Sequence, residues 1–135
     1  MKPLSIIVII CIFLSACKDK PEPNVAALLL GKWKLSQFRQ DSQPWKDSTG
    51  ILYNFLTDSL VSTKRFNTEC DRKYRLEESN EGLNRVSFPV YYASCYFRDW
   101  YSFSIVSINA TQMEITYPDE VSGVMVRKQE RYLKE

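Results

Sequence analysis

From Gly31 to the C-terminus, apolar and polar side chains alternate at period two, and this constrains the fold more than any other feature of the chain. Trp33 and Leu35 alternate with Lys32, Lys34 and Ser36; Ile51, Tyr53 and Phe55 share one face; Val86, Phe88 and Val90 repeat the pattern. Successive side chains of a strand point to opposite faces, so this alternation marks half-buried strands. It predicts eight of them, near 32–38, 51–56, 59–65, 72–77, 83–91, 100–108, 112–117 and 122–132. Thr57-Asp58, Asn80-Glu81-Gly82 and Asn109-Ala110-Thr111 carry turn chemistry, which implies an antiparallel meander. Longer connections are expected at 39–50 and around 92–99. A meander exposes two sheet edges, and closing it into a barrel removes both. Ahead of the strands, Val25 to Leu30 reads as a short helix with Asn24 as its cap and Gly31 as its stop. The expected fold is therefore all-β: an eight-stranded antiparallel up-and-down barrel over 25–135, preceded by a short N-terminal helix. With 4 glycines and no repeat, the chain is neither a propeller nor a flexible array.

The N-terminus has a different character. Lys2 is followed by an uncharged apolar run from Ile6 to Leu14, the two parts of a secretory signal peptide. The run is about 10 residues long, whereas a helix needs roughly 20 to cross a bilayer core, so it targets the chain without anchoring it. At its end, Leu14-Ser15-Ala16-Cys17 resembles the lipobox of bacterial lipoprotein precursors. The resemblance implies that residues 1–16 are a lipoprotein signal peptide and that Cys17 receives diacylglycerol and a further fatty acid such as palmitate. The protein would then have the membrane as a partner, because two or more acyl chains hold a protein stably at about 0.8 kcal/mol per buried methylene. Residues 17–24 form the lipidated cysteine and a charged tether with two prolines, extended enough to span on the order of 30 Å. No aspartate directly follows Cys17, so the expected destination is the outer membrane of the cell envelope, facing either periplasm or medium.

Removing 16 of 135 residues leaves 119, with 17 basic against 16 acidic side chains once Lys2 is gone. So even a balance gives no electrostatic footprint for nucleic acid. Of 4 cysteines, Cys11 leaves with the signal peptide and Cys17 is acylated. Cys70 and Cys95 remain in an oxidising compartment and are expected to form the domain's one disulfide, closing a loop worth about 3 kcal/mol; the alternative is two buried or free thiols. There is no histidine, which excludes the usual triads, histidine metal sites and a general base near neutral pH. Carboxylates such as Glu77-Glu78 and Asp119-Glu120 are adjacent, and neighbours on a strand face opposite sides. The basic pairs Lys64-Arg65, Arg72-Lys73 and Arg127-Lys128 read as solvated strand edges. No catalytic residue, metal or cofactor is expected, and the chain does not read as an enzyme.

Gly31-Lys32-Trp33, opening the first strand after a short helix, resembles the glycine-any-tryptophan start of lipocalins and of lipocalin-like bacterial lipoproteins; the family's second and third motifs are not evident. The resemblance implies that Gly31 and Trp33 plug the closed end of the barrel beneath a cation from the last strand, with Arg127 or Arg131 as candidates. Trp45, in a polar loop beside Pro44, and Tyr92, Tyr96 and Trp100, in the densest aromatic stretch, are candidate ligand or partner contacts. A membrane-anchored envelope lipoprotein binding a small apolar ligand is the expected function. The alternative is a non-enzymatic interaction module, an inhibitor or accessory subunit contacting another envelope protein.

Overall fold

A computed structural model describes residues 24–78, 82–88 and 102–135. The first described element is a single helical turn, α1 (Val25–Leu29), and Asn24 caps it as expected, its Oδ1 accepting from Ala27 N at 3.2 Å. Among the described residues ten strands follow: β1 (Gly31–Gln40), β2 (Lys46–Asp47), β3 (Ile51–Phe55), β4 (Leu60–Arg65), β5 (Thr68–Lys73), β6 (Arg75–Glu78), β7 (Asn84–Ser87), β8 (Ser102–Ile108), β9 (Gln112–Val121) and β10 (Val124–Lys134). Every pairing is antiparallel, in the order β5-β4-β3-β1-β10-β9-β8-β7-β6, with the short β2 added to β1.

Because β1 pairs with β10, the sheet curls into a ring, and the two edges left, β5 and β6, are consecutive in the chain. Residues 68–73 pair back to β4, residues 75–78 pair forward to β7, and Tyr74 joins them. One bent segment thus bridges the last gap, and counted through it the nearly closed barrel has eight members. Tyr74 is buried at the bend, where its N–H donates to Ser59 O at 2.9 Å and its hydroxyl to Thr57 O at 2.7 Å.

Three boundaries differ from expectation. The strand expected near 72–77 runs instead across the bend, and a two-residue turn at Phe66-Asn67 precedes it. Phe66 holds φ 52, a conformation that an aromatic residue seldom adopts, so the sequence carries no glycine signal there. The last hairpin turns at Ser122-Gly123, both at positive φ, which lengthens β9 through Pro118. The proline is tolerated because the described pairing of β8 with β9 ends at Thr116, leaving that edge without a ladder to break. Finally, the expected loop at 39–50 contains β2.

The interior follows the alternation, with one correction. Register shifts between Leu35 and Gln37, so Ser36 is an extra residue in β1, and its hydroxyl donates to Arg131 O at 3.0 Å. Strict alternation would turn Gln37 inward; the bulge places Phe38 opposite the inward Glu130 instead. Aromatic rings dominate the core, among them the Tyr53–Tyr132 pair at 5.4 Å and the edge-to-face Phe55–Tyr74 pair at 5.1 Å.

Candidate functional site

The two ends of the barrel are built differently. At one end Trp33 is fully buried, its indole Nε1 donating to Leu29 O at 2.7 Å, so α1 lies across the barrel like a lid. Gly31 has φ +110, and a Cβ there would stand 3.0 Å from Lys134 Cε. The bare backbone leaves room for the Lys134 chain, whose Nζ lies 4.9 Å from the Trp33 ring centroid and donates to Leu28 O at 3.0 Å. The cation over the tryptophan is thus Lys134, not Arg127 or Arg131. Parity along β10 is the reason. Residues 128, 130, 132 and 134 are opposite the inward-facing positions of β1, whereas 127 and 131 fall on the outer face.

At the opposite end lies a cleft of about 380 Å³, within the size range of small-molecule sites. Leu35, Phe38, Ile51 and Phe66 form its apolar walls, and Ser48, Thr49, Arg65, Tyr117, Asp119, Lys128 and Glu130 its polar lining. Phe66 is 72% exposed at its turn and rests its ring on Gly50, which has φ +101 and where a Cβ would meet the ring at 3.2 Å. Its ring thus stands in water at the mouth of the cleft, on a backbone conformation unfavourable to it.

Glu130 is the buried charged group of the cleft, only 6% exposed. Tyr117 Oη donates to its Oε1 at 2.8 Å and Tyr132 Oη to its Oε2 at 2.6 Å. Burial pushes the Glu130 carboxyl above the ordinary glutamate range, although the two tyrosine bonds pull the other way. Burial, with the carboxylate beside them, likewise raises both tyrosines, so their hydroxyls stay protonated and remain donors. At the rim Lys128 pairs with Asp119, and the hydrogen bond from Lys128 holds that carboxyl below its ordinary value. Arg72, read from sequence as an edge cation, is buried inside the barrel, 3.3 Å from Thr63 Oγ1 and 4.1 Å from the Phe88 ring centroid.

Trp45 is half-buried against the outer wall between two cations, Arg131 at 3.8 Å and Arg39 at 4.6 Å from its ring centroid. It does not line the cleft; it pins the loop that delivers Ser48 and Thr49 to the rim. Arg127 is exposed, its backbone N–H donating to Asp41 Oδ1 at 2.9 Å. Tyr92, Tyr96, Trp100, Cys95 and Cys17 lie outside the described residues. Glu130, Tyr117, Tyr132 and Lys134 escaped the sequence reading, although an acidic residue two positions from Tyr132 on an alternating strand marks an inward carboxylate. Among the described residues no cluster of histidine, cysteine or acidic side chains could hold a metal ion, and no helix is long and apolar enough to cross a membrane.

A packed closed end, a short helix across it and a cleft at the other end define a lipocalin-like barrel. Two crystal structures share this fold. One is a lipocalin-like protein from Bacteroides uniformis ATCC 8492, with TM-score 0.52 and 13% identity over 80% of this chain and 99% of its own. The other is an uncharacterized protein from Bacteroides eggerthii DSM 20697, with TM-score 0.51 and 10% identity over 78% of this chain and 98% of its own. No family model and no curated protein sequence matches the chain.

Proposed function

We propose that this protein is a lipid-anchored envelope lipoprotein that binds a small molecule in the open end of its barrel. The observation that carries the reading is the asymmetry of the barrel: one end is packed solid around Trp33, and the other keeps a cleft of about 380 Å³. The lipocalin-like fold supports it, and Leu14-Ser15-Ala16-Cys17 supports the anchor. The tether would enter at Asn24, beside the closed end, which leaves the cleft at the far end of the barrel from the anchor. Cys70 is buried and engaged, and we take Cys95 as its disulfide partner; two alkylatable thiols in unreduced, unfolded protein would refute that pairing.

The direct test compares native and denatured masses of residues 18–135 produced in an oxidising compartment and purified gently. Surplus mass that disappears on unfolding is the expected result and identifies the ligand class. A bare native mass, together with no binding of added amphiphiles, would overturn the reading. For the anchor, Cys17→Ser should move the protein to the soluble fraction, and continued membrane retention would refute lipidation. The interaction-module alternative gains one observation: Val124 and Met125, 62% and 65% exposed, give the tip of the β9–β10 hairpin an apolar surface.

A further inference from the structure

We infer that the cleft selects a small amphiphilic amine, its nitrogen seated on Glu130 and its apolar body lying along Phe38, Ile51 and Phe66. The inference deepens the small-ligand reading and rests on it. Its starting point is the chemistry of the floor. A carboxylate has about four lone-pair sites, and Glu130 has one protein donor on each oxygen, Tyr117 on one and Tyr132 on the other. Both oxygens therefore keep acceptor capacity in a place where water is scarce and a missing partner is costly. The two tyrosine protons are committed to the carboxylate, so the floor offers acceptors to an incoming group. A ligand that brings donors fits it; a second carboxylate does not.

The walls agree with this assignment. At the rim Lys128 is already paired with Asp119, so its charge is met within the chain. The apolar residues lie on the path from floor to mouth, ending at the exposed Phe66 ring. A ligand entering nitrogen first would leave its hydrocarbon against these side chains. A charge-assisted bond in such a desolvated site is shorter and roughly twice as strong as one between neutral groups, which favours an ammonium over an alcohol. Burial of Glu130 also means that ionising it is unfavourable in the empty cleft, and a bound cation would remove that penalty.

The test is calorimetric titration of residues 18–135, at mildly alkaline pH, with three probes of equal chain length: n-octylamine, n-octanol and sodium octanoate. Octylamine should bind about tenfold or more tighter than octanoate, with octanol between them. Glu130→Gln should weaken octylamine about tenfold and leave octanol within about twofold. Because a buried substitution can perturb folding, Phe66→Ser supplies an exposed control, expected to weaken all three probes by a similar factor. Octanoate binding tightest, or three equal affinities, would overturn the amine assignment and leave small-molecule binding intact. Failure of all three probes to bind would overturn both.

Discussion

The closed and open ends of this barrel use the same kinds of residue to opposite effect. At the closed end a lysine lies over Trp33, and its ammonium satisfies the Leu28 carbonyl; at the open end a carboxylate is buried under two tyrosines beside a cleft. One end completes its polar groups within the chain, and the other keeps acceptor capacity in hand. An end whose groups are all satisfied internally contributes stability, whereas one that holds back capacity is suited to binding.

The largest test of this contrast is Trp33→Ala. It should cost about 3–5 kcal/mol in urea unfolding, the usual range for emptying a large aromatic site. An unchanged midpoint would remove Trp33 from its structural role. Next is Tyr132→Phe, which leaves Glu130 Oε2 without its donor and should cost about 1–3 kcal/mol. The same carboxylate gives the open end a pH signature. Its folded value lies above the ordinary 4.5, so its stabilising contribution is complete below that pH and is lost as pH rises through the folded value. Wild type should accordingly gain stability relative to Glu130→Gln on acidification toward 4.5, and parallel pH profiles would show that the carboxylate is not perturbed. Lys134→Met should cost about 1 kcal/mol, the scale of a cation–π contact with a hydrogen bond at a part-buried site. Smallest is Trp45→Ala, expected to stay within about 1 kcal/mol while speeding proteolysis of residues 39–50; an unaltered cleavage rate would mean that the ring does not pin that loop.

Much of the architecture was legible because it depends on period and turn chemistry. The Asn24 cap appears where its side chain predicts, and Asn109 turns the β8–β9 hairpin by accepting from Thr111 N and Gln112 N at 2.9 and 2.8 Å. The eight-membered ring follows from alternation. What stayed hidden needed register. A single inserted residue at Ser36 decides whether Gln37 or Phe38 faces the cleft, and nothing local in the sequence announces it. Phe66 occupies a turn conformation that chemistry assigns to glycine. The family resemblance points to an arginine over Trp33, whereas parity along β10 excludes Arg127 and Arg131 and leaves Lys134. Glu130 gives no local signal, because an acidic residue in a charged stretch reads as solvated until the neighbouring inward tyrosines are counted.

The pairing of β1 with β10 also has a kinetic consequence. Ser36 and Arg131, bonded across that seam, are 95 positions apart in sequence. Contacts of such separation are costly in loop entropy before they return any stabilisation, so they form late and slow the overall rate. The hairpins β3–β4, β4–β5 and β9–β10 close over a few residues and can form early, but none of them makes a ring. Until the final strand is in place, β1 presents an unpaired edge along most of its length. A chain shortened at the C-terminus would therefore be an open, adhesive sheet instead of a smaller barrel.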